Sequence, residues 1–134
     1  MKLKHKLTTG ITLINKRYKK KEYYHFLQEP DNVIFIPVIG NKFIVIKQKR
    51  EPINKKNYEF PMGWVDKGES TITASKRELL EETGYKTLSK PQKLMNYYAD
   101  PGRNSRSVIC YFSTKLKKIQ KPEKNISVFL KNKK

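Results

Sequence analysis

One segment of this sequence has the marks of a helix at its start, along its length and at its end. Residues 71–83 contain no glycine or proline and are rich in helix-forming residues. The Ser70 hydroxyl can cap the first turn, and Gly84 stands where a left-handed residue commonly ends a helix. We therefore predict a helix over 71–83.

The apolar runs outside this helix are short and rich in β-branched and aromatic residues, which is typical of strands. Gly40-Asn41 separates two of these runs and predicts a hairpin that is buried on both faces. Pro37 argues against a central strand unless it marks an edge or a bulge. Residues 51–58 are polar and are interpreted as a loop, and 131–134 as a frayed tail. The predicted strands cover 11–14, 23–27, 33–39, 43–46, 93–99, 107–115 and 126–130.

Charge is distributed unevenly along the chain. Thirty Lys and Arg residues against 12 Asp and Glu give a formal net charge of +18, which is compatible with nucleic-acid binding. Residues 59–85 carry six acids and three bases, a net −3, so the remainder carries +21. Only five of the 30 bases are Arg, the residue that direct base readout prefers, and composition bias alone can explain so much Lys. An acidic segment in a basic protein suggests a metal site beside an anionic substrate.

The predicted helix places three carboxylates on one face, because Glu78, Glu81 and Glu82 have the spacing i, i+3 and i+4. Like charges at this spacing repel, and one interpretation is an ordinary solvated acidic face. Glu69 at the helix start and the preceding loop, bracketed by Gly63 and a second glycine, favour a metal site instead. Carboxylate oxygens at this density suit Mg²⁺ or Mn²⁺.

The single cysteine bears on the cellular compartment. Cys110 cannot form an internal disulfide, which fits a reducing cytosol, and its apolar neighbours predict a buried small side chain. No stretch approaches the roughly 18 apolar residues of a membrane span, so we expect a cytoplasmic protein without membrane contact.

The acidic segment matches a known motif. Gly63, five residues, Glu69, seven residues, and then the run from Arg77 to Gly84 followed by an apolar residue resemble the Nudix box at each defined position. The flanks 45–50 and 59–63, and a proline 16 residues after Tyr85, resemble the ADP-ribose and ADP-sugar pyrophosphatases within that family. The resemblance extends over residues 30–130.

This resemblance implies a fold and an activity. The fold is an α/β/α sandwich with a mixed sheet, formed by a single domain over 1–134 with an N-terminal extension at 1–31. The activity is metal-dependent hydrolysis of a pyrophosphate bond, giving AMP and a sugar phosphate from ADP-ribose or an ADP-sugar. Mg²⁺ or Mn²⁺ neutralises the substrate and activates water.

The resemblance also implies residue roles. Glu78 and Glu82 are the main metal ligands, Glu81 is a ligand directly or through water, and the Met62 carbonyl is a further ligand. The general base is Glu123, or a box carboxylate such as Glu81 or Glu82. Arg50 grips a phosphate with its fork of N–H groups. Substrate-binding roles also fall to Glu59, Pro101 and Gly102, while Arg77 orients carboxylates and Gly63, Glu69 and Gly84 are structural.

The chain departs from the pattern in two places. A Glu common after the Pro-Gly pair is replaced by the segment 103–106, and the usual C-terminal helix is apparently lacking. An uncovered apolar face promotes dimerisation, and in the resembled subgroup the N-terminal strands form the dimer interface, so we expect a homodimer. The N-terminal aromatic residues can stack on a base, although packing explains each one as well: Tyr18, Tyr23, Tyr24 and Phe26.

Other substrates and another class of function stay open. Nucleoside triphosphates, dinucleoside polyphosphates and RNA 5′ ends are alternative substrates for the same chemistry. A basic nucleic-acid-binding protein on a Nudix scaffold is the alternative class, which the complete metal-site motif disfavours.

Overall fold

A computed structural model describes residues 2–19 and 22–132. Residues 133–134 of the predicted tail, and the Tyr18 side chain with its predicted stacking role, lie outside what it describes. None of the helices in the described ranges has the length and apolarity needed to cross a membrane.

Strands dominate the described chain. One α-helix, α1, covers Thr71–Thr83, and a short 3-10 helix covers Glu51–Ile53. The strands are β1 Lys2–Thr8, β2 Ile11–Lys19, β3 Glu22–Gln28, β4 Asn32–Ile39, β5 Lys42–Arg50, β6 Lys55–Glu59, β7 Met62–Trp64, β8 Tyr85–Thr87, β9 Gln92–Tyr98, β10 Ser107–Ser113, β11 Leu116–Lys118 and β12 Ser127–Asn132.

The central sheet is mixed, as predicted. Its order is β12-β5-β4-β10-β9, with β6 added to β5 and β7 added to β4. Strands β4 and β10 run parallel, and the other pairs are antiparallel. Helix α1 packs on one face through Ala74 and Leu79, which contact Val33, Phe35 and Ile109 of the sheet in one buried cluster. A mixed α/β fold with one described helix on the sheet confirms the predicted fold class.

Pro37 lies inside central strand β4 because that strand changes partners along one edge. The hairpin around Gly40 pairs β4 with β5 at Val38 and Ile39, as predicted. From Asn32 to Ile34 the same edge pairs with β7 instead. Pro37 falls between these two ladders, so neither of them needs it as a partner. The sheet therefore forks beside the middle of β4.

The predicted loop over 51–58 is wrong from Lys55 onward, where the chain forms a strand. After the 3-10 helix, Asn54 adopts a left-handed conformation (φ 48°) and reverses the chain, and β6 then pairs with β5 from Lys55 to Glu59. Since the side chains of β6 are polar and mostly exposed, hydrophobic alternation does not reveal this strand. Lys131 and Asn132, which are included in the predicted frayed tail, belong to β12 instead.

The first three strands form a separate antiparallel sheet, which we call the N-terminal sheet. Its edge strand β3 contacts the rest of the chain. The Leu27 N–H donates to the Arg103 carbonyl at 2.8 Å, and the Ser105 N–H donates to the Leu27 carbonyl at 2.9 Å. The Tyr24 hydroxyl donates to the Gly102 carbonyl. These contacts join strand β3 to the turn before β10.

Candidate active site

Helix α1 carries the predicted carboxylates and has the predicted bounds. The Ser70 hydroxyl accepts a hydrogen bond from the Thr73 N–H at 3.2 Å and caps the first turn. At the other end Gly84 has φ +77°, and its N–H donates to the Leu80 carbonyl at 2.8 Å. A Cβ at Gly84 would lie 2.0 Å from the Gln120 carbonyl oxygen, so both conformation and space require glycine.

Gly63 lies directly against the first carboxylate of the helix. A Cβ on Gly63 would lie 2.1 Å from Oε1 of Glu78. Strand β7 thus approaches α1 so closely that only a glycine leaves the Glu78 carboxylate room to lie there. This contact gives a physical reason for the glycine at the start of the motif.

Arg77 holds three carboxylates with one guanidinium group. Its Nε donates to Glu69 at 3.1 Å, and Nη1 donates to Glu78 at 2.6 Å and to Glu81 at 3.2 Å. Its Nη2 also donates to the Trp64 carbonyl at 2.9 Å. The bonds from Arg77, opposed by burial, lower the pKa of the Glu69 carboxyl. Arg77 therefore ties the helix to the loop before it.

Glu82 is a buried carboxylate and Glu78 is a partly buried one, and few cations compensate their charges. Glu82 is 8% exposed, and its carboxylate accepts the Met62 N–H at 2.9 Å. Burial, together with the negative charge of Glu78, raises the pKa of Glu82 to about 7. Burial also raises the pKa of Glu78, although its bond from Arg77 opposes the shift. The two negative charges therefore lie close together in a poorly solvated place.

The donor chemistry of this place fits a divalent cation. A cation beside Glu78 and Glu82 would offset both burial and mutual repulsion, and carboxylate oxygens are the ligands that Mg²⁺ and Mn²⁺ prefer. Within residues 2–19 and 22–132, however, no three His, Cys, Asp or Glu side chains form a ready-made metal cage. In this conformation Arg77 engages Glu78 and Glu81. A cation would thus compete with Arg77 for these oxygens.

Two of the predicted candidates for the general base, Glu123 and Glu81, lie near each other. The Glu123 N–H donates to the Glu81 carbonyl at 2.9 Å, so the late loop passes the last turn of α1. Burial is the main cause of the raised pKa values of Glu78 and Glu82, and the charge of Glu123 adds to both. The Glu81 side chain is 40% exposed. Both candidates can therefore reach solvent at the carboxylate cluster.

An open cavity of about 550 Å³ lies beside the Gly63 contact. Arg50 and Glu59 form one wall: Nε of Arg50 donates to the Glu59 carboxylate at 3.0 and 3.1 Å, and Nη2 donates as well. Burial opposes ionisation of Glu59, but the bonds from Arg50 and Asn57 outweigh it and lower its pKa. The same bonds raise the pKa of Arg50. The structure thus brings these two predicted substrate-binding residues together as a bidentate ion pair.

Pro101 and Gly102 lie elsewhere. Both are exposed in the turn before β10, where the Gly102 carbonyl accepts the Tyr24 hydroxyl. They are not among the described residues that line the cavity. Their predicted substrate contact stays a prediction.

Several residues of the cavity were not identified from the sequence. The lining also includes Asn32, Asn57, Trp64 and Arg106. Asn57 lies on the strand interpreted as a loop, and Asn32 lies just before the predicted strand over 33–39. Trp64 is the only tryptophan and stands inside the motif, which was a usable signal. The position of Arg106 depends on tertiary contacts, including an ion pair with Glu29 at 3.7 Å.

Comparison with known proteins agrees with this arrangement. The NUDIX domain profile matches residues 28–129. An ADP-ribose pyrophosphatase of Bacillus subtilis (strain 168) is 36% identical over 93 residues, which are 69% of this chain and 48% of that protein. An ADP-ribose pyrophosphatase of Methanocaldococcus jannaschii is 34% identical over 105 residues, covering 72% of this chain and 60% of that protein.

A solved structure shares the fold. The crystal structure of an ADP compounds hydrolase superposes with a TM-score of 0.74 at 17% identity, covering 91% of this chain and 69% of that one. The chain spans about half to three fifths of the length of the two curated relatives. The predicted resemblance is thereby confirmed, and this chain belongs to the NUDIX domain family.

Proposed function

We propose that this protein is a metal-dependent Nudix pyrophosphohydrolase that cleaves ADP-ribose or an ADP-sugar into AMP and a sugar phosphate. The observation that carries the proposal is the pair of poorly solvated carboxylates, buried Glu82 and partly buried Glu78, next to a cavity whose wall carries Arg50. Similarity to two ADP-ribose pyrophosphatases supports the choice of substrate. The proposal treats 1–134 as a single domain.

Glu78, Glu82 and Glu81 would hold Mg²⁺ or Mn²⁺, with the Met62 carbonyl as a further ligand. The metal supplies charge neutralisation at the pyrophosphate and a lowered pKa of bound water. Arg77 can release Glu78 and Glu81 to the cation while it keeps Glu69 and the Trp64 carbonyl. Arg77 and Glu69 would then hold the loop in place throughout turnover.

Arg50 would bind a substrate phosphate from the cavity wall. Its Nε and Nη2 are held by Glu59, and Nη1 takes part in no described hydrogen bond. Glu59 thus fixes the plane of the guanidinium group, and the remaining N–H groups can donate to phosphate oxygens. In this arrangement Glu59 acts through Arg50.

A carboxylate near the metal would accept the proton of the attacking water. Glu123 and Glu81 are the candidates, because both lie at the cluster and are accessible to solvent. Glu123→Gln and Glu81→Gln should be compared by their pH–rate profiles. The variant that lacks the base should show a lower kcat, and the acidic limb of its pH–rate profile should disappear. An acidic limb that persists in both variants would rule out both residues.

A substrate panel tests the proposal. ADP-ribose, an ADP-sugar, a deoxynucleoside triphosphate and a dinucleoside polyphosphate are each incubated with Mg²⁺ or Mn²⁺, and the products are separated by anion-exchange chromatography. AMP from ADP-ribose is the expected result. Pyrophosphate from the triphosphate with no AMP from ADP-ribose would contradict the proposed substrate, and no hydrolysis of any compound would contradict the activity.

The proposal includes a homodimer in the cytoplasm. By register, Leu3, Leu7 and Tyr23 lie on one outward face of the N-terminal sheet, and they are 43%, 58% and 48% exposed. Burying such side chains between two copies would be favourable. Light scattering of the wild type and of Leu7→Glu tests it, since the variant should be monomeric. A monomeric wild type would contradict the dimer.

A further inference from the structure

A second cavity, of about 450 Å³, lies against the N-terminal sheet, on the face opposite Leu3 and Tyr23. We call it the basic cavity, and its lining includes Lys4, Lys6, Thr12 and Gln28. Lys4 and Lys6 are two residues apart on β1, so their side chains share a face and their Cα atoms lie about 7 Å apart. This spacing is comparable to the distance between neighbouring phosphates of an extended single strand.

The electrostatics of the basic cavity favour an anion. Glu29 is the only acid in its described lining, and this carboxylate faces Arg106 at 3.7 Å. Lys4 and Lys6 have no acidic partner within residues 2–19 and 22–132. Two adjacent ammonium groups without a countercharge repel each other, and a bound polyanion would remove that repulsion.

The basic cavity adjoins the cavity of about 550 Å³ that Arg50 and Glu59 line, which we call the catalytic cavity. Gly10 lines the basic cavity, and a Cβ there would lie 3.3 Å from Pro30 and 3.4 Å from the Trp64 ring. Trp64 in turn lines the catalytic cavity. Arg106 makes a second connection, because it lines the catalytic cavity and pairs with Glu29 of the basic cavity. The buried Nε of Arg106 has no acceptor in the described chain.

We propose that these two cavities form one groove for a single-stranded nucleic acid, with backbone phosphates on Lys4 and Lys6 and a base stacked on Trp64. The Trp64 side chain lies between the cavities and is 37% exposed, so it offers an aromatic surface to a base. Lys provides phosphate contacts without base readout, so binding does not depend on base sequence. The inference goes beyond the proposed function, because a nucleotide sugar has no phosphates beyond its pyrophosphate to place on these lysines.

Fluorescence anisotropy tests the groove. Labelled ten-nucleotide oligo(U) and oligo(dT) are titrated with the full chain in EDTA, at several salt concentrations between 50 and 200 mM. We expect binding to weaken steeply with salt. Lys4→Gln/Lys6→Gln should lower the slope of log K against log salt by about 1.4, because each phosphate contact on a single strand contributes about 0.7. Trp64→Leu should weaken binding roughly 10-fold at every salt concentration and leave the slope unchanged.

Lys42→Gln/Lys115→Gln is the matched control. It removes the same charge from two exposed lysines near the hairpin end of β4, about 23 Å along the strand from Asn32 in the catalytic cavity. The control should bind nearly as tightly as the wild type. Equal weakening in both double variants would mean diffuse attraction and overturn the groove, as would no binding at 50 mM salt. Thermal melting of each variant establishes that the fold is intact.

The two oligonucleotides identify the source of the phosphates, and preference for either supports the groove. The assay contains no metal and measures no hydrolysis. A protein that hydrolyses ADP-ribose but does not bind oligonucleotides therefore overturns this inference alone. A protein that binds them through Lys4 and Lys6 but hydrolyses no nucleotide sugar overturns only the proposed substrate.

Discussion

Replacement of Glu82 by Gln should stabilise the protein in the absence of metal while abolishing its activity. Burial, with the charge of Glu78, raises the pKa of Glu82 from 4.5 to about 7. Such a shift of a buried carboxyl corresponds to about 3 kcal/mol of unfavourable free energy when the group is ionised. Gln removes the charge, and its amide oxygen can still accept the Met62 N–H. The variant should therefore melt roughly 10 °C above the wild type at pH 8 in EDTA.

The sign of the pH dependence follows from the same shift. The folded-state pKa of Glu82 lies above its unfolded-state value. The stability that the wild type has with Glu82 protonated is therefore complete below about pH 4.5 and is lost as the pH rises through about 7. The melting temperature of the wild type should fall over this pH window, and that of Glu82→Gln should not. Mg²⁺ at pH 8 should restore the wild type and have a smaller effect on the variant. Turnover should fall at least roughly 100-fold, the upper end of what loss of an outer-shell partner costs.

Calorimetry at pH 5, 6, 7 and 8 in EDTA measures the effect. Glu51→Gln is the control, since that side chain is 79% exposed and its ion pair with Lys49 lies on the surface. Its melting temperature should stay close to that of the wild type. Equal melting temperatures of Glu82→Gln and wild type at every pH would refute the reasoning about the buried charge. Near-normal turnover of Glu82→Gln would refute its role as a metal ligand.

Three further outcomes test neighbouring parts of the site. Gly63→Ala should displace the Glu78 carboxylate, lower the melting temperature and reduce turnover. The control Gly102→Ala, whose Cβ would meet nothing closer than 3.8 Å, should melt like the wild type. Equal melting temperatures of the two variants would show that the Glu78 side chain moves aside at no cost in stability. Glu59→Gln should raise KM more than it lowers kcat, because it loosens Arg50, and an unchanged KM would argue against phosphate binding there. Removal of divalent metal by EDTA should abolish hydrolysis and Mg²⁺ or Mn²⁺ should restore it, whereas turnover that persists in EDTA would contradict metal dependence.

Local signals in the sequence account for the helix and the central strands. Ser70 and Gly84 define helix ends through their own side chain and backbone, so the bounds of α1 follow from residues within the helix or next to it. Strands β4, β5 and β10 bury long apolar runs, which any hydrophobic pattern reveals. The motif predicts Glu78 and Glu82 on one helix, and the structure adds that Glu82 is buried and Glu78 partly buried.

Features that depend on distant contacts could not be predicted. Strand β6 is polar because it lies on the edge of β5 with both faces accessible, so it has no alternating pattern. The pairing of Arg50 with Glu59 results from that missed strand. The cavity residues Asn32 and Arg106 come from segments far apart in sequence, and only the folded sheet brings them together.

The fork beside β4 has a consequence for how the site is assembled. One side of the fork carries Arg50 and Glu59 on the β5–β6 ladder, and the other carries Met62 on the β4–β7 ladder. Only two residues, Phe60 and Pro61, join the two sides, and the Pro61 carbonyl accepts the Phe35 N–H of β4 at 2.8 Å. So short and anchored a connection couples the position of the Arg50–Glu59 pair to that of Met62, whose N–H donates to Glu82. A movement of one ladder must therefore also move the other.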